Sequence, residues 1–374
     1  MQEKTAGVDG PTPSSRDPLA ATPGSGVIAV LVLTLRDLRH RLVRFVIITF
    51  VSGLVFAMLF LMNGIVAQFH REPAETTRSF GADRWLMGSG VTGPFTSISP
   101  MSIYAGEGMA SEQRAPFVLA ITTMRREGRA REVVIVGHDA SGLAAPRVVD
   151  GRASRAVGEI VTDRTAGAAI GSQVEISNHP FTVVGHTRHA TVLAGLPLVY
   201  VSLREAQDTV FSNKDIVSGF LLRGHVGSPM PGTVLLTNAE IAKDTFHPLA
   251  KAVTAINLVR GLLWIIAAIL VGAVVYLSAM ERHRDFAVLK AVGSADRKLA
   301  GGLAIQAVLV ALVAVAVGSV LQMLLKPAFP LRIAVPAADY VRLPVLAVAA
   351  ALVAAAAGMR RVVRTDPATA FAGA

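Results

Sequence analysis

Four long apolar runs dominate the pattern of hydrophobic and polar positions along the 374-residue chain. They cover residues 45–69, 261–280, 301–325 and 343–359, and none of them contains a charged residue. A hydrocarbon core about 30 Å thick needs about 20 helical residues to cross it. The pattern therefore predicts four transmembrane helices. The first run is longer than the apolar part of a signal peptide and has no clear cleavage site, so we expect a retained anchor.

Residues 70–260, between the first two runs, have a different pattern. Short runs rich in β-branched and aromatic residues alternate with turn residues, which is typical of strands. These runs cover residues 118–124, 132–136, 159–163, 173–177, 181–184, 198–203, 220–223 and 233–237. The fourth and fifth runs predict a hairpin that turns at Asn178-His179-Pro180. Ser202 and Glu205 match a capping box, which predicts a short helix from Leu203.

From Ala239 the pattern is helical again and leads into the second apolar run, with a break expected at Pro248. The predicted fold class is therefore a membrane protein with four transmembrane α-helices and a mixed α/β extracytoplasmic domain between spans one and two. Residues 326–342 are expected to form a short external loop. Small residues at four-residue spacing, Ala268 with Gly272 and Ala350 with Ala354, would permit close helix packing and are compatible with a dimer.

The segment before the first span divides into two parts. Residues 1–26 are rich in Pro and Gly and predict a disordered cytoplasmic tail. Residues 27–44 carry leucines on one helical face, whereas Arg36, Arg39 and Arg44 fall on the other. This pattern predicts an amphipathic interfacial helix that lies along the lipid headgroups. The alternative is a plain cytoplasmic extension of the first span.

The distribution of charge indicates the orientation. The net charge of +10 would suit either nucleic acid or an anionic membrane surface. Residues 1–44, 281–298 and 360–374 together hold 14 basic and 8 acidic residues, whereas the much longer 70–260 holds 19 and 17. Short basic flanks stay in the cytoplasm. We therefore expect both termini, including the tail at 360–374, inside and residues 70–260 outside. No basic and aromatic interleaved motif favours a nucleic-acid partner.

The residue types that carry catalysis are sparse. Cysteine is absent, which excludes disulfides, thiolate metal sites and cysteine nucleophiles. The pair Gly-Lys does not occur, so the sequence has no Walker A loop to hold ATP phosphates. The nine histidines are scattered and read as structural, and the arginines between 125 and 131 read as a solvated turn. We expect a non-catalytic chain that binds no cofactor and no metal.

The most informative segment is ERHRDFAVLKAVGSADRKL at 281–299, between spans two and three. It predicts a short cytoplasmic helix within 281–300, ending near Gly293, since glycine is common just past helix ends. Phe286, Leu289 and Gly293 mark one face of this helix, and its charged side chains are Arg284, Asp285 and Lys290. Such a helix is either a connector or a ligand for a groove on a cytoplasmic partner.

This segment resembles the pattern ERRREFGVLRALGAS that follows the second span in ABC transporter permeases of the FtsX/MacB type. The C-terminal RTDPATAF, which contains Asp366 and Pro367, is similar to that family's DPAEAL ending. Two further strings, GADRWLMGSGVTGPF at 81–95 and VVGHTRHATVLAGLPLVYVSL at 183–203, resemble the DevC-like branch of four-span, single-copy permeases. The layout of one span, a large domain and three spans is also similar. His283, Asp285 and Phe371 depart mildly from the family pattern.

The resemblance implies a bacterial cytoplasmic-membrane protein that works as a permease homodimer with two copies of a separate ABC ATPase subunit. ATP and Mg would bind to that ATPase. The coupling helix, through Arg284, Asp285, Phe286, Leu289, Lys290 and Gly293, would contact the ATPase and transmit its closure to the outside. The implied function is export or extraction of a substrate by mechanotransmission, with an extracytoplasmic adaptor or membrane-fusion protein as a further partner.

Two alternatives stay open at this point. One is an FtsX-like transmembrane regulator that keeps the ATPase partner but activates an extracytoplasmic enzyme. The other is a membrane-anchored sensor without an ATPase. Co-purification of an ATPase separates the second alternative from the other two functions.

Overall fold

The computed structural model describes residues 23–107, 109–139, 142–212, 215–281, 296–329 and 331–363. The α-helices in this part are α1 (Pro23–Ser79), α2 (Leu203–Phe211), α3 (Asn238–Glu281), α4 (Asp296–Leu325) and α5 (Asp339–Val363). Short 3-10 helices cover Ile103–Gly106, Arg164–Ala166 and Lys326–Ala328. Four helices contain stretches long and apolar enough to cross a bilayer: Val46–Ser79, Asn238–Val274, Ala304–Ala328 and Asp339–Ala357. The predicted set of four membrane-spanning helices is confirmed.

Helix α1 is longer at both ends than the sequence predicted. It begins at Pro23, inside the segment expected to be disordered, and proline is well tolerated in the first turn of a helix. It then continues without a break through 27–44, so this segment is helical as predicted, and its position along the headgroups stays a prediction. It ends at Ser79, ten residues beyond the predicted end of the first span at residue 69. The chain is therefore still helical where it enters the domain.

Helix α3 corrects the break expected at Pro248. The helix runs from Asn238 to Glu281 with Pro248 inside it. A proline within a helix removes one backbone hydrogen bond and costs about 3 kcal/mol. Its neighbours Phe246 and Leu249 pack into an apolar cluster with α1. We attribute the continuity of α3 to this packing, because the partial burial of these two large side chains offsets much of that cost.

Helices α1, α3, α4 and α5 form a bundle in which small residues allow close helix packing. Helices α1 and α4 cross closely at two glycines: a Cβ atom on Gly53 would lie 2.6 Å from Val317 Cγ1, and one on Gly318 would lie 2.7 Å from Phe56 Cβ. A Cβ atom on Gly272 would lie 3.4 Å from Ala354 Cβ. Two of the four small residues that were compatible with a dimer therefore pack α3 against α5 within one chain.

The domain between α1 and α3 contains thirteen strands in its described part. They are β1 (Arg84–Gly88), β2 (Met101–Ser102), β3 (Gln113–Arg126), β4 (Arg129–His138), β5 (Asp150–Gly151), β6 (Glu159–Asp163), β7 (Gln173–Ile176), β8 (His179–Thr187), β9 (Thr191–Val192), β10 (Leu196–Ser202), β11 (Ile216–Val217), β12 (Gly219–Arg223) and β13 (Thr233–Thr237). Each of the eight predicted runs matches one of these strands. The unpredicted strands are two-residue pairs, which have no readable period, and β1, a short buried run without alternation.

Strand β3 joins two parts of the domain. Its first half pairs with β12 and completes a four-stranded antiparallel sheet in the order β13, β1, β12, β3. Its second half pairs with β4, and pairing continues through β10, β6, β8 and β7 back to β3. These six strands therefore close into a ring. We call the first part the sheet and the second part the barrel.

The hairpin and the short helix test the local predictions. The turn between β7 and β8 consists of Ser177 and Asn178, with φ of 50° and 66°, so the turn predicted at 178–180 is wrong by one position. Asparagine tolerates this left-handed conformation, and Pro180 is part of β8. The capping box is confirmed: Ser202 Oγ accepts from the Glu205 N–H at 3.4 Å and donates to the Glu205 carboxylate at 2.5 Å.

The sheet and the barrel share an aromatic core. Trp85 of β1 is fully buried, with its ring centroid 5.0 Å from that of Phe80 and 5.3 Å from that of Phe117. The same cluster includes Val136 of β4 and Leu198 of β10, which belong to the barrel. The core thus lies between the two parts, directly beside the place where α1 enters the domain.

Candidate functional site at the junction of helices and domain

The junction is the region where α1 and α3 leave the bundle and meet the domain. Residues 81–96, around β1, contact α3, whereas residues 191–195, which comprise β9 and the turn that leads to β10, contact α1. We call this second segment the turn 191–195. These two contact segments fall almost entirely within the two strings, 81–95 and 183–203, that carry the resemblance in the domain. The residues that make the strings recognisable therefore include those that join the domain to the helices.

The start of α3 is fixed to the sheet by Asn238. The indole Nε1 of the buried Trp85 donates to Asn238 Oδ1 at 2.7 Å, and Asn238 Nδ2 donates to the Ala82 carbonyl at 2.7 Å. Thr237 and Glu240 form a capping box at the same helix start, with the Thr237 N–H donating to the Glu240 carboxylate at 2.7 Å. The helix therefore begins in one defined position on the sheet.

A second contact on this side uses a carboxylate. Asp244 accepts from Thr92 Oγ1 at 2.6 Å with one oxygen and from the Thr96 hydroxyl with the other. Gly93 lies close to the same group, because a Cβ atom there would lie 2.8 Å from Asp244 Cγ. The loop that follows β1 is thus held against α3 by a partly exposed carboxylate.

Helix α1 contacts the barrel through a buried carboxylate. Glu72 is 3% exposed and accepts from Thr191 Oγ1 at 2.5 Å and from the Ala194 N–H at 2.9 Å. One turn later, Thr76 Oγ1 donates to the Thr191 carbonyl at 2.5 Å. A buried charge is costly unless it is hydrogen-bonded, and these directed bonds meet that requirement. They also fix how far along α1 the barrel sits.

The turn that receives Glu72 has an unusual backbone. Leu193, Ala194 and Gly195 are consecutive left-handed residues, with φ of 52°, 67° and 98°. Glycine adopts this conformation freely, whereas for Leu and Ala it costs about 1 to 2 kcal/mol each. Such a conformation persists where the surroundings hold it in place. Glu72 supplies part of that hold through the Ala194 N–H.

The loop between α4 and α5 completes the junction. Arg332 Nη1 lies 3.6 Å from Glu75 Oε2 of α1, and a Cβ atom on Gly195 would lie 3.2 Å from Leu331 Cδ2. Ile333 is buried in one cluster with Leu61 and other side chains of α1. The turn 191–195 is therefore enclosed by α1 on one side and by this loop on another.

Titratable groups in the domain serve structure. The Arg152 guanidinium beside Glu159 lowers the pKa of that carboxyl to about 2. Burial lowers the pKa of His189, and the neighbouring Arg332 and Arg188 lower it further. Within the described residues no group of three or more His, Asp or Glu side chains is arranged to hold a metal.

The site residues predicted from the sequence fall elsewhere. Arg284, Asp285, Phe286, Leu289, Lys290 and Gly293 lie outside the described residues, as do Asp366 and Pro367. Arg36, Arg39 and Arg44 lie on α1, in the part that precedes its first described side chain. Their roles stay predictions. The sequence analysis did not single out Glu72, Asn238 or Asp244; the Thr-x-x-Glu spacing at 237–240 was the readable signal for the start of α3.

Known protein sequences are similar to the C-terminal part of this chain and to nearly its whole length. The family model described as FtsX-like permease C-terminal matches residues 257–367, which include the segment 284–293 and the pair Asp366-Pro367. An ABC transporter permease of Mycobacterium bovis and one of Mycobacterium tuberculosis are each 38% identical over 351 residues, covering 92% of this chain and the whole of each relative. A second permease of Mycobacterium tuberculosis is 36% identical with the same coverage.

Two solved structures are similar to the domain. The extracellular domain of the noncanonic ABC-type transporter YknZ from Gram-positive bacteria has 14% identity and a TM-score of 0.30, covering 38% of this chain and 83% of that chain. The periplasmic region of MacB from Actinobacillus actinomycetemcomitans has 10% identity and a TM-score of 0.33, covering 45% of this chain and 94% of that chain.

Proposed function

This chain belongs to the FtsX/MacB-type ABC transporter permeases, and from that premise we propose that it couples ATP hydrolysis by a separate ATPase subunit to changes in the shape of its extracytoplasmic domain. The work done outside would be export or extraction of a substrate. The observation that carries this proposal is the continuity of α1 and α3, which run without a break from apolar stretches into the junction.

The mechanical argument rests on the stiffness of these helices. The described side chains of α1 from Val46 to Ser79 span about 50 Å at 1.5 Å per residue. The two helices also pack together near the domain, where the rings of His70 and Phe246 stack with centroids 4.5 Å apart. A tilt or shift of α1 and α3 in the bilayer would therefore reach the domain with little loss. Mechanotransmission of this kind needs no wide channel.

The ATPase side of the proposal rests on the sequence. Membership in the family implies a partner ATPase, and the absence of a Gly-Lys pair supports the assignment of ATP and Mg to that partner and of a non-catalytic role to this chain. We assign ATPase contact to the helix with Phe286 and Leu289. Two permease chains, two ATPase subunits and an extracytoplasmic adaptor would form the full assembly in the bacterial cytoplasmic membrane.

Co-purification tests this assignment. A Phe286→Asp substitution places a charge on the apolar face that would dock into the ATPase, so we expect ATPase recovery with the tagged chain to fall about ten-fold or more. Val157→Asp, which changes an 89% exposed residue of the domain, is the matched control and should leave recovery unchanged. Membrane extraction should yield equal amounts of both variants. Equal ATPase recovery with Phe286→Asp would contradict the coupling role, and no ATPase with any variant would favour the sensor.

The orientation has a separate test. Basic flanks at 1–44, 281–298 and 360–374 support cytoplasmic termini. Since the chain contains no cysteine, a Ser228→Cys variant carries a single thiol at an exposed position of the domain. We expect a membrane-impermeant maleimide to label it in intact cells. Labelling that requires cell lysis would show the opposite topology.

A further inference from the structure

We propose that Glu72 is the positioning residue through which α1 holds and moves the barrel, and that the turn 191–195 is the element that changes conformation when α1 shifts. This proposal rests on the mechanical role proposed above and names the contact by which that role would reach the barrel. It commits to specific residues: Glu72 and Thr76 on α1, and Thr191 and Ala194 on the turn.

The connectivity of the domain makes this contact important. The sheet is joined to both long helices through the chain itself, because α1 leads into β1 and β13 leads into α3. The barrel is not adjacent to either helix along the chain, and it contacts α1 itself through the turn. Its other links run through the sheet, by the shared strand β3, and through the Ala144 N–H, which donates to the Phe80 carbonyl just after α1 at 2.9 Å. A movement of α1 relative to α3 would therefore act on the sheet through covalent links and on the barrel through hydrogen bonds to Glu72 and Thr76.

The chemistry of the contact makes it sensitive to position. Hydrogen bonds are confined to narrow distances, about 2.5 to 3.0 Å for O–H···O and about 2.7 to 3.2 Å for N–H···O, and they weaken steeply below about 120°. Glu72 and Thr76 make three directed bonds to a segment of four residues. A shift of α1 by 1 to 2 Å along its axis would break them together.

The turn is suited to respond. Leu193 and Ala194 are held in a left-handed conformation that an isolated chain would leave. When Glu72 withdraws, the Ala194 N–H loses its acceptor and the turn can relax. Leu331 contacts the same turn from the loop between α4 and α5. Relaxation of the turn would therefore also change its contact with this loop. The contact between Glu72 and the turn would thereby have two arrangements, one hydrogen-bonded and one relaxed.

Hydrogen exchange of the full chain in lipid nanodiscs tests whether Glu72 holds the turn. In Glu72→Ala we expect amides in 192–196 to exchange about ten-fold faster or more, because the Ala194 N–H loses its buried acceptor. Glu72→Gln should retain most of the protection, since its carbonyl can accept from Ala194 and its amide can donate to Thr191 Oγ1. Asp244→Ala is the matched control: it should speed exchange at 92–97 and leave 192–196 unchanged.

Two results with the isolated chain would overturn the proposal. Unchanged exchange at 192–196 in Glu72→Ala would show that Glu72 does not hold the turn. Faster exchange throughout β1 and β12 would show that Glu72 merely supports the fold. Both results are obtained without an ATPase, so they stand apart from the co-purification test of the proposed function.

The movement itself is tested in the complex with the co-purified ATPase. We expect ATP with vanadate to change exchange at 192–196 by several-fold more than at 92–97. Glu72→Ala should abolish that ATP-dependent change, because the turn has already lost the acceptor of its Ala194 N–H, whereas Asp244→Ala should leave it in place. An equal response at both segments in the parent chain, or a response at 192–196 that survives in Glu72→Ala, would refute movement through this contact.

Discussion

The two long helices meet the same domain through different chemistry. On the α3 side, Asn238 binds Trp85 in a core of buried aromatic rings, and the carboxylate of Asp244 adds a partly exposed contact. On the α1 side, the buried carboxylate of Glu72 binds a turn whose backbone is left-handed. One attachment belongs to the domain core, and the other is a small polar contact at its edge.

Under the proposed mechanism, this difference would allow the domain to respond to a movement of its helices. If both attachments were part of the core, a relative movement of α1 and α3 could be accommodated only by disrupting that core, because packed interiors do not deform continuously. If both were polar contacts at the edge, neither helix would hold the domain in a fixed position. With one attachment in the core and one polar attachment at the edge, a shift of α1 could change the arrangement of the sheet relative to the barrel.

The largest effect is expected from breaking the fixed attachment. Trp85→Ala removes a fully buried indole and its bond to Asn238, and we expect it to destabilise the domain by about 3 to 5 kcal/mol. Trp264→Ala is the natural control, because the chain has two tryptophans and Trp264 is partly exposed in the bundle. Thermal unfolding of the β-structure, followed by circular dichroism in detergent, is the measurement. Equal losses in both variants would contradict the placement of the core at the junction.

The same contrast explains what the sequence could predict. The four spans and eight strand runs depend on composition and period within about 25 residues, which a single sequence displays directly. The attachments depend on pairs far apart in the chain: 119 residues separate Glu72 from Thr191, and 153 separate Trp85 from Asn238. Neither Glu72 nor Thr191 is unusual in its local pattern. Closure of the barrel by β7 and β3 likewise depends on register between distant strands.

Local rules also failed where tertiary packing opposed them. Pro248 is a helix breaker by propensity, yet Phe246 and Leu249 pack against α1 on either side of it. The end of α1 was placed at residue 69, where the apolar run stops, but the helix continues because Glu72 and Thr76 find partners on the barrel. An apolar pattern shows where a helix meets lipid or a core, and it does not show where polar partners extend that helix.

The smallest effect is expected from the barrel itself, away from both attachments. Arg152 pairs with Glu159 at the start of β6 and lowers the pKa of that carboxyl from its ordinary value of about 4.5 to about 2. Because the pKa is lower in the folded state, the pair contributes stability above pH 4.5, and this contribution is lost as the pH falls from 4.5 towards 2. Arg152→Met should therefore lower the melting temperature slightly at pH 7, and the difference from the parent chain should shrink on acidification through this window.

Exchange at 192–196 should stay unchanged in Arg152→Met at pH 7, since the pair lies apart from Glu72. A difference in melting temperature that grows on acidification would contradict the sign of this linkage, and altered exchange at the turn would show that the barrel and its attachment to α1 are not separable.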